Sequence, residues 1–105
     1  MNKNEPFSEY EQSMVEFARE LIHIRSYSGQ ERELAELIQS RMKRLGYDDV
    51  TIDEMGNVVG RIGDARNPSV LLDAHMDTVE VNDMDSWTKP PFEGLIQNGS
   101  LFGRG

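Results

Sequence analysis

The 105-residue sequence contains no cysteine. That absence removes disulfides, thiolate zinc sites and cysteine nucleophiles together, and it fits a reducing, cytoplasmic setting. Basic charge is also scarce. Eleven Lys and Arg stand against 19 Asp and Glu, for a net charge of −8. No basic stripe is present, so nucleic acid is not an expected partner. No apolar run approaches the ~18 residues of a membrane span. The opening residues Met1 to Pro6 lack the apolar core of a secretory leader, so neither membrane insertion nor export is expected. No repeat or low-complexity stretch is visible, and Gly60 and Gly63 do not make a phosphate-cradling loop. What remains is ordinary globular composition, 37% hydrophobic and 29% charged with nine Gly and four Pro, enough for about one small domain.

Two helices lead the chain. The spacing predicts the first over about Ser8 to Ile24, with Ser8 and Glu11 at the separation of a capping box and Met14, Phe17, Ala18, Leu21 and Ile22 on one apolar stripe. His23, late in that helix, suits the negative end of its dipole and reads as structural. The second helix repeats the grammar. Ser28 and Glu31 form a second capping-box pair, Leu34, Leu37, Ile38, Met42 and Leu45 form the stripe, and Gly46 is the expected stop. Strands follow. Val50 to Asp53 and Asn57 to Ile62 are expected to pair as a hairpin across Met55-Gly56-Asn57. Val70-Leu71-Leu72-Asp73-Ala74 reads as a strand from the middle of a covered sheet, because it is apolar on both faces. Phe92 to Ile96 and Ser100 to Phe102 flank Asn98-Gly99, a strong hairpin signal. Two helices with strands and one central apolar candidate point to an α/β layered structure. Only two helices are available to cover the sheet, and the sequence stops as a strand delivers Gly103-Arg104-Gly105, so the chain is expected to be the N-terminal piece of something larger.

Chemistry concentrates where the apolar run meets His75-Met76-Asp77. Sites in open α/β sheets form at the carboxyl ends of strands, and residues two apart in an extended chain point the same way. His75 and Asp77 can therefore face one point. A neutral imidazole nitrogen is a zinc donor, and a carboxylate on the other ring nitrogen fixes its tautomer and raises its basicity. With two His and eight Asp in the chain, composition alone yields a His-x-Asp about once in seven such sequences, so context has to carry the reading.

That context is a resemblance. His75-Met76-Asp77-Thr78-Val79 behind an apolar run resembles the metal motif of the family that includes aminoacylase, acetylornithine deacetylase, succinyl-diaminopimelate desuccinylase and carboxypeptidase G, which are di-zinc metallopeptidases and amidohydrolases. Trp87, Pro91-Phe92, Gly94, Ile96, Asn98-Gly99 and Leu101-Phe102-Gly103-Arg104-Gly105 are similar to the family's next block. Ser26-Tyr27-Ser28-Gly29-Gln30-Glu31 and Gly56-Asn57-Val58 are similar to its earlier ones. The match runs in order through nearly the whole chain. Asp73-Ala74-His75 departs from the commoner form and is similar to a less characterised peptidase subgroup.

The resemblance implies the fold, a partial catalytic domain of zinc-exopeptidase-like α/β type with two N-terminal helices packed on an incomplete mixed sheet. Residues 1–105 would be the N-terminal part of that domain, with its remainder and a lid or dimerisation domain outside this sequence. His75 would be a metal ligand. Asp77 would be catalytic, orienting His75 and assisting the chemistry. The bridging Asp, the general-base Glu and the other ligands would fall beyond Gly105. Zinc would be the metal, two ions per site, with cobalt as an alternative. The full-length protein would be a cytoplasmic homodimer hydrolysing amide or peptide bonds in small N-acyl amino acid or peptide substrates. The chain alone, with one His and one Asp at the site, is expected to bind zinc weakly and to be inactive. Alternatives from other classes are a non-catalytic binding or dimerisation module and the remnant of a disrupted gene. Bland readings suit the other candidates: a structural ion pair ahead of an anion clamp for Arg104, a solvated acidic loop for Asp83 and Asp85, helix-stripe core for Met14 and Met42, and loop packing for Trp87.

Overall fold

A computed structural model describes residues 7–64 and 66–104, with side chains from residue 9 onward. The element order is α1 (Phe7–His23), α2 (Arg32–Arg44), β1 (Asp49–Ile52), β2 (Val58–Arg61), a 3₁₀ turn (Met84–Ser86), β3 (Leu95–Gln97) and β4 (Ser100–Phe102). The chain divides into two units, one drawn from residues 1–25 and 80–105 and the other from residues 26–79.

In the first unit α1 meets the β3–β4 hairpin and the loop before it. The Arg19 Nε donates to the Gly94 carbonyl at 2.8 Å, and a ring nitrogen of His23 lies 2.7 Å from the Glu93 carbonyl. Gly103 packs so closely on Ile22 that a Cβ there would lie 2.7 Å from Cγ2. All these contacts fall on the C-terminal half of the helix. Phe17, Ala18, Leu21 and Ile22 are half-buried, whereas Met14, expected in the stripe core, is exposed, because it precedes the part of the helix that carries these contacts. The Ser8–Glu11 capping box lies outside the described side chains. β3 and β4 pair antiparallel, Leu95 with Phe102 and Gln97 with Ser100. Asn98 and Gly99 both have positive φ, 52° and 77°, as a two-residue I′ turn requires. The Arg104 guanidinium lies 5.9 Å from the centre of the Trp87 ring, so the described contact of this residue is stacking on an aromatic face rather than the expected ion pair.

The second unit builds its core between α2 and the β1–β2 hairpin. Leu34, Ala35 and Val50 are its buried apolar residues. α2 ends as its sequence requires: Gly46 has φ 85°, its N–H donates to the Lys43 carbonyl at 3.1 Å, and the Tyr47 N–H donates to the Met42 carbonyl at 3.2 Å. Leu45 sits at the C-cap and is exposed, which takes it off the expected stripe. The expected hairpin is present, with Asp49 opposite Arg61 and Ile52 opposite Val58. Its turn is organised by Asp53. One carboxylate oxygen accepts the backbone N–H groups of Met55 and Asn57 at 2.9 and 2.8 Å, and the other accepts the Asn57 side-chain amide at 3.0 Å. Those bonds, the Asn57 amide first, hold the Asp53 carboxyl below its usual range.

α2 does not start at Ser28. Its N-cap is Glu31, with no side-chain cap bond, and the Glu31 carboxylate instead accepts the Gly29 N–H at 2.7 Å. Nor is Val70–Ala74 a strand. The helices and strands form an α/β mix, but the described strands make two separate two-stranded antiparallel sheets rather than one mixed sheet. Val70, Leu71 and Leu72 are 88, 89 and 90% exposed. An apolar run becomes a buried strand only when neighbours cover it, and the described residues supply none.

Candidate metal-ligand site

The segment bearing His75 is held by the short connector between the helices rather than by a sheet. Residues 26–28 and 76–78 run side by side. Tyr27 and Thr78 form a parallel bridge, and the Thr78 N–H donates to the Ser26 carbonyl at 2.8 Å. Side chains reinforce the bridge on both sides. The Ser26 hydroxyl, on a residue only 2% exposed, donates to the Met76 carbonyl at 3.0 Å. The Ser28 hydroxyl donates to Asp77 Oδ2 at 2.6 Å. Ser26 and Ser28 are two residues apart, so in a bridged segment both can reach the same neighbour.

His75 and Asp77 do come together. Nδ1 of the His75 ring lies 2.9 Å from the Asp77 main-chain carbonyl and 3.5 Å from Oδ1 of its carboxylate. The nearer partner is the backbone oxygen, not the carboxylate that the sequence reading places there. A carbonyl only accepts, so Nδ1 is the nitrogen that carries the proton and Nε2 is the basic one. The His75 side chain is 83% exposed and that of Asp77 44%. The Asp77 carboxyl is held below its ordinary value, first by the Ser28 hydroxyl and then with smaller help from its own N–H and from His75. Asp77 is therefore an anion with one oxygen bound to Ser28 and the other turned towards the imidazole.

An open cleft of about 810 Å³ lies beside this pair, walled by α2 and the β1–β2 turn and lined by Glu31, Glu36, Asp53, Glu54, His75 and Asp77 among others. Its size is that of a small-molecule site. The donor types are those that zinc takes, as far as they go: an imidazole tied through Nδ1 to a carbonyl, and a carboxylate beside it. Among the described residues no group of three His, Asp or Glu side chains comes together to hold an ion. Sequence reasoning missed Ser26 and Ser28. Their shared i, i+2 spacing is the same signal that singled out His75 and Asp77.

No family model matches the chain, and no solved structure matches it significantly. Named proteins do. An uncharacterized protein YgeY of Escherichia coli strain K12 is 37% identical over 112 aligned positions that take in all of the chain. A probable succinyl-diaminopimelate desuccinylase of Staphylococcus epidermidis is 32% identical over 90% of the chain. The chain is thus similar to proteins named desuccinylases. A succinyl-diaminopimelate desuccinylase of Azoarcus sp. strain BH72 is 36% identical over 84% of it. The resemblance read from the motifs is thereby borne out at the level of relatives. The chain spans about a quarter of the length of these curated relatives, 28% of the first, 24% of the second and 23% of the third.

Proposed function

We propose that the chain is the N-terminal part of the catalytic domain of a metal-dependent amidohydrolase, a hydrolase acting on small substrates, and that it contributes one zinc ligand, His75. The observation that carries this reading is the imidazole held through Nδ1 on the Asp77 carbonyl, which leaves Nε2 basic and exposed. The desuccinylase names of the relatives support hydrolysis of an amide as the reaction class. Cytoplasmic location and a homodimeric full-length protein belong to the same reading.

The residues present fit a metal in part. His75 Nε2 would hold it, and Asp77, with Oδ2 taken by Ser28, is turned to the imidazole rather than outward, so its role is to orient the ring and sustain its basicity. Zinc, when bound, supplies a Lewis acid for the amide carbonyl. The cleft would seat the acyl group or the amino acid beside it. The remaining ligands and the general base belong to the longer protein, so the chain alone is inactive.

The experiment is to prepare the longer protein that contains this chain, measure its zinc content, and assay hydrolysis of N-succinyl and other N-acyl amino acids and of dipeptides. Zinc-dependent hydrolysis lost in His75→Ala supports the reading. Full activity in His75→Ala, or activity indifferent to zinc removal, overturns it.

A further inference from the structure

We propose that Ser28 is a positioning residue for His75, holding the Asp77 carboxylate against the ring so that it reinforces the tautomer the Asp77 main-chain carbonyl already favours; the significance of that tautomer for metal binding rests on the function proposed above, but the tautomer itself does not. The three groups form a chain. The Ser28 hydroxyl donates to Asp77 Oδ2 at 2.6 Å, Asp77 Oδ1 lies 3.5 Å from His75 Nδ1, and the Asp77 carbonyl accepts from that same nitrogen at 2.9 Å. A carboxylate on an exposed segment rotates freely unless one oxygen is tied. Here the tie comes from a side chain 49 residues away in sequence. With Oδ2 held by Ser28, Oδ1 lies towards the imidazole. Two oxygens, one charged and one neutral, then confront Nδ1, and both favour a proton on that nitrogen.

The order of the three side chains excludes a nucleophile. A serine activated for attack has its proton drawn towards an imidazole. The Ser28 proton instead points to the carboxylate, and the His75 nitrogen that faces Asp77 carries its own proton. The arrangement delivers orientation, not an alkoxide. It also explains why Ser28 is not the cap of α2, whose N-terminus falls to Glu31 without a side-chain bond. The hydroxyl that local sequence grammar assigns to the helix is committed to the imidazole's support. Ser26 is the contrasting case. Its bond goes to the Met76 main chain, so it secures the segment without touching the carboxylate.

The test is the tautomer of the His75 ring, read from its nitrogen chemical shifts in the chain at about pH 8, where an ordinary imidazole is neutral. The parent chain is expected to hold mainly the Nδ1–H form, opposite to the preference of free histidine in water. Ser28→Ala is expected to shift the ring towards the Nε2–H form, and Ser28→Thr, which keeps the hydroxyl, to restore the parent value. Ser26→Ala is expected to lower the melting temperature while leaving the tautomer in place. A parent ring mainly in the Nε2–H form overturns the proposal without any variant. So does a Ser28→Ala chain that keeps its dispersed amide spectrum and an unchanged tautomer, or a Ser28→Thr chain that behaves like Ser28→Ala. If Ser28→Ala loses its amide dispersion, Ser28→Cys, which replaces the hydroxyl with a weak thiol donor at nearly the same size, takes its place with the same expected shift, and an unchanged tautomer there overturns the proposal. A longer protein that takes up no zinc sinks the proposed function but leaves the tautomer result standing, so the two failures are distinct.

Discussion

Gly60 gives a perturbation whose sign is decided by packing. It lies in β2 opposite Val50, and its α-carbon faces the end of α2. Intrinsic preference alone favours replacing it, since glycine within a strand costs roughly 0.5–1 kcal/mol relative to alanine. The neighbourhood argues the other way. A methyl at this position would lie 2.7 Å from the Met42 sulfur and 2.8 and 2.9 Å from Cδ2 and Cε2 of Tyr47. Met42 can swing, because its chain is long and unbranched. Tyr47 follows the C-cap of α2, its N–H bonded to Met42, and its half-buried ring would have to leave its packing on the hairpin to make room. Overpacking of this kind costs typically about 1–3 kcal/mol. The steric clash outweighs the gain in strand preference. Gly60→Ala is therefore expected to be destabilised by about 1 kcal/mol or more, a fall of roughly 4–8 °C in melting temperature per kcal/mol for a unit of this size. Thermal unfolding followed by circular dichroism measures it. A Gly60→Ala chain melting at or above the parent temperature would refute the close packing of α2 on the hairpin.

Further outcomes follow from other parts of the chain. Leu71 is 89% exposed between two equally exposed apolar neighbours, so the parent chain should associate with rising concentration in sedimentation experiments, and Leu71→Asp should reduce this while changing stability by no more than about 0.5 kcal/mol. Equal association of the two chains would contradict it. The Asp53 carboxyl is depressed in the folded hairpin, first by the Asn57 side chain, so its contribution is present above the unfolded carboxyl value and is lost as pH falls through the lower folded value. Asn57→Ala should raise the Asp53 titration midpoint seen by carboxyl-carbon resonance, and an unmoved midpoint would assign the shift elsewhere.

What could be read in advance was whatever local chemistry determines. Asn98-Gly99 made its turn because both residues tolerate positive φ, and Gly46 stopped α2 for the same reason. The first hairpin turned across Met55-Gly56-Asn57 as read, with Gly56 at positive φ, although the Asp53 carboxylate that ties it to Asn57 was not singled out. The failures are non-local. Ser28-x-x-Glu31 has the letters of a capping box, but a carboxylate 49 residues along the chain competes for the hydroxyl and wins, since a charged acceptor forms the stronger bond. Val70–Ala74 has the letters of a buried strand, yet burial is a property of neighbours. Met14 and Leu45 belong to stripes by spacing, and each lies beyond the reach of the layer its helix packs on. At the candidate site the sequence brought His75 and Asp77 together by their i, i+2 spacing, and Ser26 and Ser28 share that spacing, but which atoms they reach, and the main-chain carbonyl as the nearer partner of the ring, were legible only in three dimensions.

Zinc titration calorimetry on the 105-residue chain and on its His75→Ala variant bears most directly on the idea that this polypeptide carries one ligand of a shared metal site. The expected result is binding weaker than micromolar in the parent and no detectable heat in the variant, because one imidazole and a carboxylate committed to Ser28 and the ring leave most of a four-coordinate shell unfilled. Sub-micromolar affinity in the parent chain, or a titration that His75→Ala leaves unchanged, would contradict the account.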